Sequence, residues 1–273
     1  MAPPEIFAIF AIKYARHDRT AELNFMDPSD FHDGNMPIDY FVWVARSASR
    51  TFVIDTGFNT ETASKRNKQI IRCPVESLKL VGVDPEEVED VIITHLHYDH
   101  VGNFDLFPKC KFHLQDEEMS YATGRYMGHR HFQHPFDIDH VTGMVREVYK
   151  GRVQFHNGDA ELSPGFSVHR IGGHTAGLQV VRIFSKRGWV VLASDASHLY
   201  GNMELINPYP IIFKSSEMVD GYERLSQLAD SDDHIIPGHD PLVLDYYPPP
   251  SKDLEGIVMC LDVAPKKRLS NNF

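Results

Sequence analysis

Within His95-Leu96-His97-Tyr98-Asp99-His100, three imidazoles and a carboxylate fall inside six residues, directly after the apolar run Val91-Ile92-Ile93. Alternate residues of an extended or turning chain point the same way, so His95 and His97 can converge on one point while Asp99 and His100 aim at a second, a few ångströms away. Imidazole nitrogens and carboxylate oxygens are donors that zinc accepts, about four to an ion in a tetrahedral site. One loop with four donors cannot complete two such sites, so partners must come from elsewhere. The candidates are His174 in Gly172-Gly173-His174-Thr175-Ala176-Gly177, Asp195 after Val190-Val191-Leu192-Ala193-Ser194, and His239 in Pro237-Gly238-His239-Asp240. Each follows an apolar run. Any one of them alone reads as a solvated or hydrogen-bonded residue; the ordered set argues for a metal centre.

The elements that must position these residues are strands. Apolar, β-branched and aromatic runs at 6–12, 40–44, 51–54, 91–93, 111–114, 166–171, 178–184, 189–193 and 234–236 have strand character. Asp84-Pro85-Glu86-Glu87 predicts a short helix start, with a capping Asp, a Pro at the first helical position and acidic first-turn residues. Asp116-Glu117-Glu118 predicts another. A helix near 216–229 presents Met218, Tyr222, Leu225 and Leu228 on one face. Segment 24–38 is a loop rich in Asp, Gly and Pro; its Phe25, Met26 and Phe31 are expected to line a pocket or a homodimer contact. Segment 124–140 is expected to be a lid or insertion, and its Tyr126, His129, His131, His134 and His140 lack the strand-end setting of the metal candidates. Residues 246–273 are expected to form a surface tail, and no linker divides 1–273 into more than one domain.

The 273 residues carry Lys+Arg 27 against Asp+Glu 38, a formal charge of -11 that argues against a nucleic-acid or anionic-membrane partner. Three dispersed cysteines, Cys73, Cys110 and Cys260, give neither a disulfide framework nor a zinc ribbon. The apolar start lacks a basic leader and a cleavage site, and no apolar run reaches the ~18 residues of a membrane span, so a cytoplasmic location is expected.

The ordered set HxHxDH, His174, Asp195 and His239 resembles the metallo-β-lactamase superfamily of hydrolases, from about Tyr40 to about Val243. The single-domain length and the acidic, aromatic middle segment look most like its N-acyl-homoserine lactonase family. That resemblance implies an α/β fold, a four-layer αββα sandwich whose halves meet at the metals. It also implies two divalent cations, zinc first among the candidates, with His95, His97 and His174 on one, Asp99, His100 and His239 on the other, and Asp195 bridging both. The chemistry implied is the opening of a lactone, possibly an acyl-homoserine lactone. A hydroxide held between the cations would attack, because a zinc-bound water has a pKa near ~7 rather than ~15.7. Asp99 would pass a proton to the leaving oxygen.

Asp55, in the Asp55-Thr56-Gly57 turn that the superfamily shares, is expected to accept a hydrogen bond from a ligand histidine. The resembling lactonases place a substrate-binding tyrosine three residues after the bridging Asp; here that residue is His198, and the nearest tyrosine is Tyr200. Either His198 replaces the donor, or Tyr200 reaches over, or the substrate differs. The rival readings are a metal-dependent thioesterase or other ester or amide hydrolase of the same superfamily, and a metal-binding sensor without turnover.

Overall fold

Strands that are apolar on both faces must be covered on both sides. In the computed structural model, which describes residues 3–27 and 34–266, they run in chain order as β1 (Ala8–His17), β2 (Ile38–Arg46), β3 (Thr51–Ile54), β4 (Gln69–Ile70), β5 (Asp90–Ile92), β6 (Lys111–Gln115), β7 (Val153–His156), β8 (Ala160–Ser163), β9 (Phe166–Arg170), β10 (Gln179–Ser185), β11 (Gly188–Ser194), β12 (Ile235–Pro237) and β13 (Val258–Cys260). An eight-stranded sheet has the order β13-β1-β2-β3-β5-β6-β7, with β4 on β1, and a five-stranded sheet has the order β12-β11-β10-β9-β8. The α-helices are α1 (Thr60–Lys65), α2 (Tyr98–Val101), α3 (Asp116–Ala122), α4 (Arg130–Gln133), α5 (Ile138–Tyr149), α6 (Tyr200–Glu204), α7 (Ser215–Leu228) and α8 (Leu242–Tyr246).

The period of two sorts each strand into two cores. Phe41 and Trp43 of β2, Phe52 of β3, Phe166 of β9, Val181 and Ile183 of β10 and Leu192 of β11 meet between the sheets. Phe52 and Phe166 stack there, with ring centroids 3.8 Å apart and planes 12° apart. The alternate residues Tyr40, Val42, Val44 and Val53 turn outward to a second core that includes Met144 of α5. Val180, Val191 and Ala193 turn outward to Tyr222, Leu225 and Leu228 of α7. Helix, sheet, sheet and helix are the four layers that the resemblance implies.

The differences from the sequence reading have local causes. β1 runs past residue 12 to His17 because its register against β2 shifts between Lys13 and Ala15, and Lys13 Nζ lies 2.7 Å from Asp39 Oδ2 instead of interrupting the strand. Helix α5 is missed because Asp139, Thr142 and Gly143 dilute its apolar face; Asp137 caps it by accepting from Asp139 N at 3.0 Å. Residues 246–266 are not a surface tail. Tyr247, Val258, Met259 and Leu261 are buried, and β13 pairs with β1 at the sheet edge. Phe25 is a core residue at 2% exposure, whereas Met26 is exposed, and Phe31 lies outside the described residues.

Replacing Phe166 with Ala should cost about 3–5 kcal/mol, the usual range for a buried phenylalanine. Urea denaturation measures it. A loss below about 1 kcal/mol would mean that this stack does not hold the sheets together.

Candidate metal centre

The candidate ligands sit on the segments that leave the strands at one end of both sheets, most on turns, with Asp99 and His100 in the short helix α2. Two of those turns contain non-glycine residues in the left-handed region, Asp55 at φ 61° and Ser194 at φ 45°; such backbone persists only where the surroundings over-determine it. The determining bonds are present. Thr94 N and Thr94 Oγ1 donate to Asp55 Oδ1 and Oδ2, both at 2.8 Å, and Thr94 Oγ1 lies 2.9 Å from Ser194 Oγ. The ends of β3, β5 and β11 are thereby tied together.

Asp195 stands at the centre. Its Oδ2 lies 3.2 Å from His174 Nε2, 3.7 Å from His95 Nε2 and 3.0 Å from His198 Nε2. Its Oδ1 lies 3.0 Å from His239 Nε2 and 3.2 Å from His100 Nε2. His97 Nδ1 is 2.9 Å from His174 Nε2, and Asp99 Oδ2 is 4.0 Å from His239 Nε2. Donor atoms of His95, His97, His174 and Asp195 gather within 4.8 Å of one another, as do those of Asp99, His100 and His239. His198 joins a further such group with Asp195 and His239.

The opposite ring nitrogens are pinned outward. His100 Nδ1 donates to Asp55 Oδ2 at 2.7 Å, His174 Nδ1 to the Ile211 carbonyl at 2.7 Å, and His239 Nδ1 to the Asp39 carbonyl at 2.9 Å. In the neutral ring each such bond leaves Nε2 as a lone pair facing the centre, the arrangement that orients metal-bound histidines; burial favours that neutral form, whereas Asp195 draws His100 and His239 above the ordinary imidazole range. Asp55 therefore has the contact expected of it. Burial holds His95 and His97 well below the ordinary imidazole range and pushes His198 down to about 3. Burial opposes charge on Asp195 too, but the surrounding His198, His100, His239 and His95 hold it well below the carboxylate range. Nε2 of His95 and of His100 are buried without a hydrogen-bond partner. Orphaned, lone-pair-bearing nitrogens around a central carboxylate fit divalent cations.

Sequence reading missed Glu118, which looks like a solvent-facing residue of an acidic helix start. It is fully buried. Its Oε1 accepts from Leu96 N at 2.8 Å, and its Oε2 accepts from Thr175 Oγ1 at 2.6 Å and Gly177 N at 3.0 Å. One carboxylate thus joins the loop of His95 and His97 to the loop of His174. Gly177 makes this approach possible, since a Cβ there would stand 2.1 Å from Glu118 N.

A cavity of about 390 Å³ opens onto the centre, where Asp99, His97, His174, Asp195, His198 and His239 reach its wall. His198 lies on that wall, stacked on Tyr209 at 3.7 Å with 5° between the planes. Tyr200 is a correction. Its ring belongs to the core between the sheets, 5.5 Å from that of Tyr246, because it opens α6 with its N–H donated inward to Asp240 Oδ2. The phenols that line the cavity are those of Tyr40, Tyr98 and Tyr209. Of the histidines in segment 124–140, His134 lines the cavity, and His131 lines an adjoining one.

The family model described as the metallo-beta-lactamase superfamily matches residues 37–239. The chain belongs to that superfamily. An N-acyl homoserine lactonase of a Bacillus species is 29% identical over 171 residues, covering 61% of this chain and 61% of the relative. The N-acyl homoserine lactonase AttM of Azorhizobium caulinodans is 26% identical over 170 residues, covering 61% and 64%. The chain thus spans about three fifths of the length of the curated relatives it matches. Among solved structures, a quorum-quenching N-acyl homoserine lactone lactonase superimposes with a TM-score of 0.72 at 21% identity, over 88% of this chain and 95% of its own. The dizinc quorum-quenching lactonase AidC gives 0.68 at 15%, over 88% and 90%. At these identities the superpositions establish the superfamily fold.

Replacing Glu118 with Gln puts an amide N–H₂ against a buried donor, so a loss of about 1–3 kcal/mol is expected. Because both metal loops hang on Glu118, retained metal should fall as well. Thermal unfolding and metal analysis of the same sample measure both, and unchanged values would remove Glu118 from this role.

Proposed function

We propose that the protein is a dinuclear metal-dependent hydrolase that opens a lactone or related carboxylic ester. The observation that carries this reading is the placement of Asp195, whose two oxygens face two different sets of histidines. His95, His97, His174 and Asp195 would hold one cation, and Asp99, His100 and His239, faced by the other oxygen of Asp195, would hold the second. Bound there, two divalent cations supply an activated water near neutral pH and a Lewis acid for the carbonyl. Imidazole and carboxylate donors suit zinc, as they suit iron, manganese or cobalt. The dizinc lactonase among the similar structures supports zinc first.

The residues around the cations do the rest. Asp55 and the carbonyls of Asp39 and Ile211 keep the imidazole rings oriented. Asp99 lines the cavity and carries a proton on its carboxylate to the leaving oxygen. His198 donates from Nε2 to the substrate carbonyl, exchanging its contact with Asp195 for that bond, while Tyr209 stacked on its ring fixes the plane of the imidazole. Segment 124–140 acts as a lid through His134 and Pro135, which wall the cavity. An acyl-homoserine lactone is one substrate of the right chemistry, supported by the lactonases among the relatives.

Ring-opening of a panel of acyl-homoserine lactones, γ- and δ-lactones and one thioester, followed by proton release with metal content measured on the same sample, tests this reading. Metal-dependent opening of lactones is the expected result; inactivity on the whole panel with two metals bound would move the reaction to another ester, thioester or amide. Asp195→Ala should lose metal and activity together, and an active variant retaining two metals would refute the bridging role. His198→Phe and Tyr209→Phe, made separately, should each lower kcat/KM by more than about tenfold and about twofold respectively, the first within the range for a lost transition-state donor. If neither changes it by more than about twofold, the carbonyl donor lies elsewhere.

A further inference from the structure

The chain carries a formal charge of -11, yet the mouth of its central cavity is basic, with Arg19, Lys65, Arg66 and Lys68 all on the wall. Lys65 is an ordinary surface cation, exposed and 2.7 Å from Glu61 Oε1. The others differ. Arg66 donates to the carbonyls of His134 and Phe136 at 2.9 and 2.8 Å and lies 4.0 Å over the Tyr98 ring. Arg19 donates to the Tyr209 hydroxyl and the Leu23 carbonyl, and its Nε is buried without a partner. These acceptors are neutral, so they aim the two guanidinium charges without cancelling them. Lys68 is half-buried and has neither a hydrogen-bonded acceptor nor an ion-pair partner for its ammonium among the described residues.

Burial, with repulsion from Arg19 and Arg66, lowers Lys68 to about 8 against the opposing pull of Asp99. The same field reaches His17, which burial and then Lys68 and Arg19 push down to about 4. Gathered cations that no carboxylate among the described residues pairs directly repel one another, and a concave site focuses their field on an incoming anion. The carboxylates on this wall, Asp99 and Asp195, belong to the metal centre. Beside His97 and His174 an adjoining chamber of about 440 Å³ is lined by Tyr121, Phe132, Ile211 and Ile212 together with Arg130, His131 and His134. The reacting centre therefore lies between a chamber with an aromatic and aliphatic wall and one whose wall carries Arg19, Arg66 and Lys68.

We propose that the substrate is an amphipathic lactone or ester, with its apolar part lodged against Tyr121, Phe132 and Ile212 and a fixed carboxylate-type anion held by Lys68, Arg19 and Arg66. This substrate class rests on the hydrolase reading above. It differs from an uncharged lactone in a way that binding alone can detect.

The test uses the metal-loaded full chain and two probes of similar shape, benzenesulfonate, a weak metal ligand, and the uncharged methyl phenyl sulfone. Calorimetry should give the sulfonate a Kd about tenfold lower than the sulfone, as for a complementary charge in a partly buried site. That preference should shrink severalfold in Lys68→Met, vanish in Lys68→Glu, and weaken as salt rises from about 0.05 to about 0.5 M. Equal affinities in the unaltered protein, or a preference that survives Lys68→Glu, would overturn the anion site. Turnover of an aryl lactone bearing a carboxylate, against the same lactone bearing a carboxamide, separates the two readings. Failure to open either lactone while the sulfonate preference holds would sink the lactone reading and leave the anion site standing. Equal turnover of both with no sulfonate preference would do the reverse.

Discussion

Asp195 and the five imidazoles within 3.7 Å of its oxygens are buried together at the foot of one cavity, and the rest of the structure answers to the cost of keeping them there. An unpaired carboxylate in such a place would simply take up a proton. Asp195 does the opposite, because its neighbours stabilise the anion more than burial destabilises it. His100, His174 and His239 keep Nε2 toward the centre because each has an acceptor behind it. Asp55, the Asp39 carbonyl and the Ile211 carbonyl are those acceptors for His100, His239 and His174.

Those acceptors come from stretches of chain far from the rings they serve; Asp39 and His239 are 200 residues apart. Holding such pairs to hydrogen-bonding distance requires a frame that does not deform, and two sheets with an interdigitated aromatic core are such a frame. The turns between frame and centre carry the remaining strain. Asp55 and Ser194 adopt left-handed backbone that their residue types disfavour, and Thr94 bonds to one and contacts the other. Glu118 performs the equivalent task between the loops of His97 and His174, with a buried charge satisfied by three donors.

Membership of the superfamily accounts for this frame and says little about what enters the cleft, since function resides in the side chains that a fold presents. Those side chains divide by character. Cations gather toward the end of β1 and the end of α1, while aromatic and aliphatic groups gather below α3 and α4. On an acidic protein, a cationic recess is worth its electrostatic cost only where something negative is to be held there.

Much of the centre was legible in the chain. His95 to His100 declare themselves by density, and His174, Asp195 and His239 by standing just after apolar runs, because strand periodicity is a local property that residue types express directly. Most of the strands and the helix at α7 follow from the same periodicity, whereas the four-layer order came with the resemblance to the superfamily. Glu118 was hidden because its partners, Leu96, Thr175 and Gly177, lie 22 to 59 residues away, and a helix start rich in acid looks the same whether it faces water or a buried loop. Tyr200 turned away from the cavity for a comparable reason: whether its phenol meets the cavity or the core depends on how α6 seats on Asp240. The closing strand β13 was taken for a tail, since three residues carry too little pattern until β1 is there to pair with. What the amino-acid order determined alone was the donor set and the strands that carry it. Which buried charges clamp the loops, which tyrosine faces the cleft and where the cations collect were decided only by tertiary structure, because those are contacts between segments that local periodicity does not relate.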